Sequence, residues 1–210
     1  MNIAILGTGA MGRALATRLA ATGQTVVLGS RNPSRAKAAA AEIDAGVQSA
    51  SLRGAAESAD VVVLAVPFEA ARATIRAAAG EIDGKIVIDI TNPLNADFSG
   101  LTIGLNKSAA EVIQAAAPTA RVVKALNTVF APLVQEPSIN GSPVTAFYAG
   151  DNDEANATVR AILERAGFKP EFTGPLKSAR YLEPMAGLNI MLGYGLGGGV
   201  NIAPEWRRAA

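Results

Sequence analysis

Short apolar runs alternate with longer, alanine-rich segments along most of the chain. Runs such as VVVLAV and KIVIDI are almost continuously apolar, which is typical of parallel strands covered on both faces. The alternation predicts βαβ units around a parallel sheet. The predicted strands are 2–6, 25–28, 47–50, 61–66, 85–90, 121–126 and 142–150.

Helices are predicted in the segments between these strands. Asn32 can cap the helix that begins at Pro33, and Gly167 ends the last of the segments. After Ser178 a further apolar helix runs into the glycine-rich stretch GYGLGGG. The pattern predicts a doubly wound, mostly parallel α/β sheet over residues 1–177 and a small C-terminal helical part over residues 178–210. The other helices are predicted at 10–21, 33–43, 68–79, 108–117 and 154–166.

A glycine-rich motif, Gly7-Thr8-Gly9-Ala10-Met11-Gly12, joins the first predicted strand to the first predicted helix. In this position G-x-G-x-x-G is typical of a dinucleotide-binding turn. Gly7 permits the tight turn, Gly9 lets a pyrophosphate approach the backbone, and Gly12 lets the helix and the strand pack closely. The N–H groups of the helix N-terminus then face the phosphates. We therefore expect a Rossmann-type fold whose motif residues bind a dinucleotide. The alternative is a tight turn without a ligand.

A basic cluster follows the second predicted strand, where many dinucleotide-binding domains carry an acidic residue that binds the ribose. This chain has Ser30 and Arg31 there, and Arg35 lies one helical turn further on. The Ser30 hydroxyl and the Arg31 guanidinium can each bind a phosphate, and Arg35 near a helix N-terminus is unfavourable unless an anion lies close. These residues predict NADP as the cofactor. The alternative is a solvated basic helix face, which is our interpretation of Lys37.

The composition narrows the chemistry further. The 210-residue chain has no histidine and no cysteine, which excludes disulfides, thiol nucleophiles and histidine acid–base catalysis, and we expect no metal site. The net charge of +1 argues against nucleic-acid partners. The N-terminal apolar run lacks a preceding basic stretch, which argues against a signal peptide. The C-terminal apolar run is too short and too rich in glycine for a membrane span. We expect a soluble, cytoplasmic protein.

Polar residues follow the predicted strands at the end of the sheet where a nicotinamide would lie. Asn92 follows the fifth main strand, in DITNPLN, and Asn127 follows the sixth, in KALNTVFAP. Each is a candidate cofactor contact and could equally be a turn or cap residue, and the pattern leaves both alternatives open. For Asn95 we favour the turn.

No residue in these segments is well placed to transfer a proton. We expect Asp89, at the end of a buried strand, to bind backbone groups. Lys124 is the only attractive candidate, but Lys124 and Asn127 are three residues apart on a predicted strand and therefore point to opposite faces, so we do not expect the pair to act as a unit. Reduction of a carbonyl or an imine usually needs a proton donor, whereas hydride transfer between two cofactor rings needs mainly stacking and orientation. The sequence therefore favours transfer between rings, with no catalytic side chain.

Five segments that cover most of the chain are MNIAILGTGAMGRALATRLAATGQTVVLGSR, AVPFEA, DITNPLN, VVKALNTVFAPLV and YLEPMAGLNIMLGYGLG. Together they resemble the NADPH-dependent F420 oxidoreductase family. The resemblance implies that Thr8, Ser30, Arg31 and Arg35 hold the 2′-phosphate of NADP. It also implies that the backbone of Val66-Pro67 and Ala125-Leu126 lies along the nicotinamide.

The same resemblance implies the reaction and the second substrate. In that family a hydride passes between NADPH and the deazaflavin F420, in a pocket completed by the small C-terminal helical part, and related branches serve flavins. We therefore expect an NADP-dependent oxidoreductase whose small-molecule redox acceptor is F420 or a flavin. The alternatives are an NADPH-dependent reductase of a small imino or keto acid and a non-catalytic NADPH-binding sensor.

The apolar character of the C-terminal helix indicates the oligomeric state of the protein. A chain this short has little room to bury a helix rich in methionine and glycine against itself, so we expect a homodimer formed through it. Trp206, the only tryptophan, is interpreted as an anchor for the tail.

Overall fold

The computed structural model describes residues 1–43 and 45–209. Its centre is an eight-stranded sheet in the order β10-β9-β6-β5-β4-β1-β2-β3. The strands are β1 Asn2–Leu6, β2 Thr25–Ser30, β3 Gln48–Ser51, β4 Val61–Leu64, β5 Ile86–Asp89, β6 Arg121–Ala125, β9 Thr145–Gly150 and β10 Lys169–Phe172. A separate hairpin pairs β7 Ser138–Ile139 with β8 Ser142–Pro143.

The first six strands are parallel, and their order 3-2-1-4-5-6 is that of a Rossmann fold. The strand order reverses between β1 and β4, which makes the carboxyl ends of these two strands the switch point where ligands bind in such sheets. Strand β9 runs antiparallel to β6, and β10 runs parallel to β9. The predicted fold class is confirmed.

Helices cover both faces of the sheet. They are α1 Ala10–Ala21, α2 Pro33–Ile43, α3 Leu52–Glu57, α4 Phe68–Ala77, α5 Ala109–Ala116, α6 Ala131–Gln135, α7 Asp153–Arg165 and α8 Ala179–Ile190. One apolar core lies under α1, α2, α6 and α7, and a second lies under α3, α4 and α5 on the opposite face. Both faces of the central strands are therefore buried, which explains why β4 is continuously apolar and why β5 is apolar up to its last residue, Asp89.

The C-terminal part lies on the sheet beside β9. Helix α8 contacts α5 and continues into one π-helical turn at Met191–Gly195. The tail then returns to the sheet, where the ring of Trp206 packs edge-on against Phe147 at 5.6 Å between centroids. Arg208 forms an ion pair of 2.5 Å with Glu171 on β10. The tail is therefore held by one aromatic contact and one ion pair.

Several elements differ from the sequence-based prediction. Helices α3 and α6 and strand β10 were not predicted, since α3 contains a glycine, α6 is only five residues long, and β10 contains Pro170. Strand β10 tolerates this proline because it lies at the edge of the sheet. Strand β4 ends at Leu64, two residues before its predicted end, where the chain leaves the sheet.

Candidate functional site

The glycine motif forms the turn between β1 and α1, and two of its glycines are required by packing. Gly7 has a φ of 135°, and a Cβ there would lie 2.0 Å from the carbonyl oxygen of Ala65. A Cβ on Gly12 would lie 2.2 Å from the carbonyl oxygen of Gly7. The turn is therefore pressed against the end of β4 on one side and against helix α1 on the other.

The third glycine of the motif faces open space. Gly9 is exposed, and no atom lies within 4 Å of the position that a Cβ would occupy. Gly9 is also the N-cap of α1, no side chain caps this helix, and its first turn contains no acidic residue. The N-terminus of α1 therefore presents backbone N–H groups and a positive dipole end to an open surface, which is the arrangement that binds phosphate groups.

The basic cluster lies beside this turn because β1 and β2 are neighbours. The Gly7 N–H donates to the carbonyl oxygen of Gly29 at 2.9 Å. A Cβ on Gly29 would lie 2.7 Å from Cδ2 of Leu6, so this position of β2 has no room for a side chain. The next residue, Ser30, is therefore the first at this end of β2 whose side chain can point toward the surface. The end of β2 is thus held close to the phosphate-binding turn.

The side chains of this cluster are free to bind an anion. Arg31 and Arg35 are exposed, and neither forms an ion pair with any residue between 1 and 43 or between 45 and 209. The Ser30 hydroxyl accepts a bond of 3.2 Å from the N–H of Asn32. The Asn32 side chain accepts from the Ser34 N–H at 3.0 Å and so begins α2, as predicted. This turn holds Ser30, Arg31 and Arg35 at one end of α2.

Arg13 was not identified from the sequence, although it directly follows the glycine motif. Its Nε donates to the carbonyl oxygen of Thr8 at 3.2 Å, and its guanidinium pairs with Glu42 on α2. Arg13 therefore ties the glycine turn to the helix that carries the basic cluster. Its charge is already balanced, unlike that of Arg31 and Arg35.

A cavity of about 220 Å³ lies at the carboxyl end of the sheet, between the glycine turn and α8. Five of the residues predicted to contact the cofactor line it, namely Ala10, Met11, Asn92, Leu126 and Asn127. Val66, Pro67 and Ala125 are not among its lining residues. Val66 and Pro67 instead lie between β4 and α4, where Pro67 is the N-cap, and Ala125 is fully buried in β6. The remaining walls are Ile90, Phe98, Thr128, Val129, Phe130, Ala131, Ala186, Asn189, Ile190 and Tyr194.

The two asparagines at this edge bond to each other across the ends of β5 and β6. The Asn92 amide donates to the carbonyl oxygen of Asn127 at 2.8 Å, and the Asn127 amide donates to Oδ1 of Asn92 at 2.9 Å. The Asn127 amide also donates to the carbonyl oxygen of Leu182 on α8 at 2.9 Å. Both asparagines thus have a structural role and also line the cavity, so the two alternatives left open by the sequence are compatible.

The C-terminal helix supplies walls that the sequence did not identify. Asn189 donates to the carbonyl oxygen of Thr128 at 3.1 Å, and the ring of Tyr194 packs edge-on against Phe130 at 5.3 Å between centroids. Leu126, at the end of β6, has a positive φ of 57°, an uncommon conformation for a leucine. The only sequence signal for these walls was the apolar, glycine-rich character of the C-terminal segment.

A buried ion cluster lies beneath the cavity. Lys124 on β6 is fully buried, and its ammonium contacts Asp89 on β5 at 2.7 Å, Glu183 on α8 at 2.9 Å and the carbonyl oxygen of Thr91 at 2.5 Å. Asp89 also accepts from the Thr91 N–H at 2.8 Å, so the prediction that Asp89 binds backbone is confirmed. Burial raises the pKa of Glu183, and Lys124 opposes this effect.

Chemically, the cavity is suited to holding a ring. Of the residues that line it within the described chain, none is a carboxylate or a lysine, and only Tyr194 can titrate.

No group of three or more metal-ligating side chains occurs within residues 1–43 and 45–209. Over the same residues, every helix is too short or too polar to cross a bilayer.

Comparisons with known proteins show which family this chain resembles. Residues 2–93 match the family model for NADP oxidoreductase, coenzyme F420-dependent. The F420-dependent NADP reductase of Methanothermobacter marburgensis is 34% identical over 211 residues, which cover 91% of this chain and 92% of that protein. A solved structure from Arthrobacter sp. FB24, a candidate F420-dependent NADP-reductase, has 31% identity and a TM-score of 0.89 and covers 98% and 99% of the two chains.

A further relative is much longer than this chain. The metalloreductase STEAP3 of Rattus norvegicus is 32% identical over 182 residues. The match covers 87% of this chain and 36% of that protein, so this chain spans about a third of it. Most of the longer protein therefore has no counterpart in this chain.

Proposed function

This chain belongs to the family of F420-dependent NADP oxidoreductases, and we propose that it transfers a hydride between NADPH and a deazaflavin or flavin acceptor. That it is an NADP-dependent oxidoreductase follows from the family. The identity of the acceptor is our proposal. The observation that carries it is the cavity of about 220 Å³ at the carboxyl end of the sheet, which is lined mainly by apolar and amide side chains.

For the nucleotide, we propose that residues 7–12 bind the pyrophosphate of NADPH. The open space at Gly9 and the uncapped N-terminus of α1 support this assignment, because a phosphate needs both close approach to the backbone and unpaired N–H donors. Thr8, Ala10 and Met11 form the rest of this turn and the first turn of the helix.

We propose that Ser30, Arg31 and Arg35 bind the 2′-phosphate. The two guanidinium groups are exposed and lie at the end of β2, which is hydrogen-bonded to the glycine turn. A carboxylate at this point would repel a phosphate, and the end of β2 provides none. The Thr8 hydroxyl is included because its residue lies in the same turn. Arg13, whose charge is balanced by Glu42, is left out of the set.

For the nicotinamide, we propose contacts with Asn92 and Asn127 and with the backbone of Val66, Pro67 and Ala125. The Oδ1 atom of Asn127 and the hydroxyl of Thr128 are buried and have no hydrogen-bond partner in the described chain. Polar atoms in this state at a cavity wall are favourable sites for a ligand that can donate hydrogen bonds, such as a carboxamide. The ring itself supplies the hydride, and the protein supplies its orientation.

We propose that the acceptor lies on the α8 side of the cavity. A second, apolar cavity of about 470 Å³ lies next to it and shares Asn189 as a wall. Transfer between two stacked rings needs correct distance and exclusion of water, and needs no protein acid or base. The scarcity of titratable groups in the lining favours this chemistry over the reduction of an imino or keto acid.

The proposal is tested by following the oxidation of NADPH with F420, FMN and FAD in parallel. We expect turnover with at least one of the three, faster with NADPH than with NADH. A Gly9→Ala variant fills the space above the phosphate-binding turn and leaves the cavity walls unchanged, so we expect it to lose turnover with NADPH. Absence of turnover with all three acceptors would refute the proposed reaction. Unchanged turnover in Gly9→Ala would show that the nucleotide does not bind at the glycine turn.

We also propose that residues 178–210 form a unit that completes the acceptor pocket and joins two copies of the chain into a homodimer. Of the eleven exposed large apolar side chains in the described residues, seven lie between positions 181 and 206. Contiguous apolar surface of this kind marks interaction sites. The charged groups beside it, Glu171 and Arg208, already neutralise each other. An uncharged, apolar surface favours a second copy of itself over a charged partner.

A further inference from the structure

The buried ion cluster joins three of the elements whose residues form the walls of the cavity. Asp89 ends β5, Lys124 lies in β6, and Glu183 lies in α8. Each is followed, within three residues, by a residue that lines the cavity. The cluster therefore lies directly behind the walls, although none of its three side chains lines the cavity itself.

Every bond-forming atom of the cluster has a partner. The three protons of the Lys124 ammonium are matched by Asp89, Glu183 and the carbonyl oxygen of Thr91. Glu183 also contacts a second element, because its carboxylate accepts hydrogen bonds from the N–H of Ala109 at 2.9 Å and from that of Ala110 at 3.3 Å. One side chain of α8 thus binds both the charge on β6 and the N-terminus of α5.

Two neutral hydrogen bonds, from Asn127 to Leu182 and from Asn189 to Thr128, also hold α8, but Glu183 provides its only buried charged contact within the described chain. Apolar packing is non-directional, whereas a carboxylate that binds an ammonium and two N–H groups at once has one orientation. A buried charge left without its partner costs several kcal/mol, so displacement of α8 is strongly opposed. Further along the same helix, Ala186, Asn189 and Ile190 line the cavity, so the position of α8 sets the position of this wall.

We propose that Glu183 is a positioning residue for hydride transfer, which holds α8 at the distance from the strand ends that the acceptor ring requires. Glu183 acts through Lys124 and does not touch either substrate. This inference rests on the proposed function for its kinetic consequence, whereas its structural consequence can be measured without any acceptor.

The test is Glu183→Gln, which keeps the size of the side chain and removes its charge. The matched control is Glu111→Gln, because Glu111 on α5 also binds α8, through Arg180 at 2.6 Å, but does so at the exposed side of the same helix pair. Should Glu183→Gln fail to fold, Glu183→Asp replaces it. That variant keeps the charge for Lys124 and is too short to reach Lys124 and the α5 N-terminus together.

Two measurements separate positioning from general stability. In hydrogen exchange without ligands, we expect amides of residues 186–194 to exchange at least ~10-fold faster in the Glu183 variant, with β1 and α1 unchanged. In turnover, we expect kcat/KM for the acceptor to fall ~10- to ~100-fold while the Kd for NADPH changes less than about twofold. The control should show neither effect.

The outcomes are distinguishable from those of the proposed reaction. Faster exchange in all elements, the same pattern in the Glu111 control, or equal losses in NADPH binding and acceptor turnover would each overturn the positioning role. If the native protein turns over no acceptor, the proposed reaction fails, and the exchange of residues 186–194 still decides whether Glu183 positions α8.

Discussion

Replacement of Arg31 by alanine should change the preference between two nucleotides without changing the fold. Arg31 is exposed and, within the described chain, has no acidic partner to lose, so we expect a change of less than about 0.5 kcal/mol in the free energy of unfolding. The affected interaction is the one proposed with the 2′-phosphate, which NADPH carries and NADH lacks.

The magnitude follows from the type of contact. A hydrogen bond to a charged group contributes about 1.5–3 kcal/mol, and each 1.4 kcal/mol is tenfold in Kd. We therefore expect the Kd of Arg31→Ala for NADPH to rise ~10- to ~150-fold. The Kd for NADH should change less than about twofold. Because the guanidinium is exposed, the effect should lie near the lower limit and shrink further at high salt.

Isothermal titration calorimetry with both nucleotides, at two salt concentrations, is the appropriate assay. Lys37→Ala is the matched control, since Lys37 is another basic, exposed residue, lies on the adjacent helix α2 and is interpreted as solvated. Equal losses for NADPH and NADH in Arg31→Ala would show that this residue supports the turn instead of the phosphate. An equal loss in Lys37→Ala would show a general basic field with no specific contact.

Three further predictions follow from the packing, the charges and the exposed surface. Gly12→Ala should destabilise the fold by about 2 kcal/mol, because its Cβ would lie 2.2 Å from a carbonyl oxygen. Gly9→Ala should change the free energy of unfolding by less than ~1 kcal/mol and weaken NADPH binding at least ~10-fold. Urea unfolding measures the effect on stability, and calorimetry measures the effect on NADPH binding. The Arg180 guanidinium lowers the pKa of Glu111 from 4.5 to about 2, so the pair stabilises the fold above pH 4.5 and this contribution is lost as the pH falls toward 2. Because the pair is partly exposed, we expect the free energy of unfolding in urea to fall about 1 kcal/mol further between pH 7 and pH 3 in the native protein than in Arg180→Met. Leu188→Arg, on the exposed face of α8, should convert the proposed dimer to a monomer in size-exclusion chromatography with light scattering, and a monomeric native protein would contradict the dimer.

The nucleotide-binding half of the fold was predictable because its signals are local. Periodicity located helices α1 and α2 at their observed limits, and the spacing of three glycines identified the turn between β1 and α1. Asn32 was identified as a cap because Asx residues before a proline commonly begin helices. Each of these inferences depends on residues within about ten positions of one another.

The acceptor side was less predictable because its contacts join distant parts of the chain. Lys124 meets Glu183, 59 positions away, and nothing in the sequence near either residue indicates the other. The sequence placed Lys124 near the site and correctly separated it from Asn127, yet the partner that gives Lys124 its role appears only when α8 is placed on the sheet. Strand β10 was missed for a related reason, since its pairing with β9 compensates for a composition that disfavours a strand.

The contact between Trp206 and Phe147 gives the protein a built-in optical probe. Because the chain has one tryptophan, its intrinsic emission reports a single location, where the tail meets the sheet beside α8. Reduced nicotinamide absorbs in the region where tryptophan emits, so bound NADPH within energy-transfer range would quench this signal. Titrations and stopped-flow experiments could therefore follow nucleotide arrival and movements of the tail in the native protein, with no attached dye.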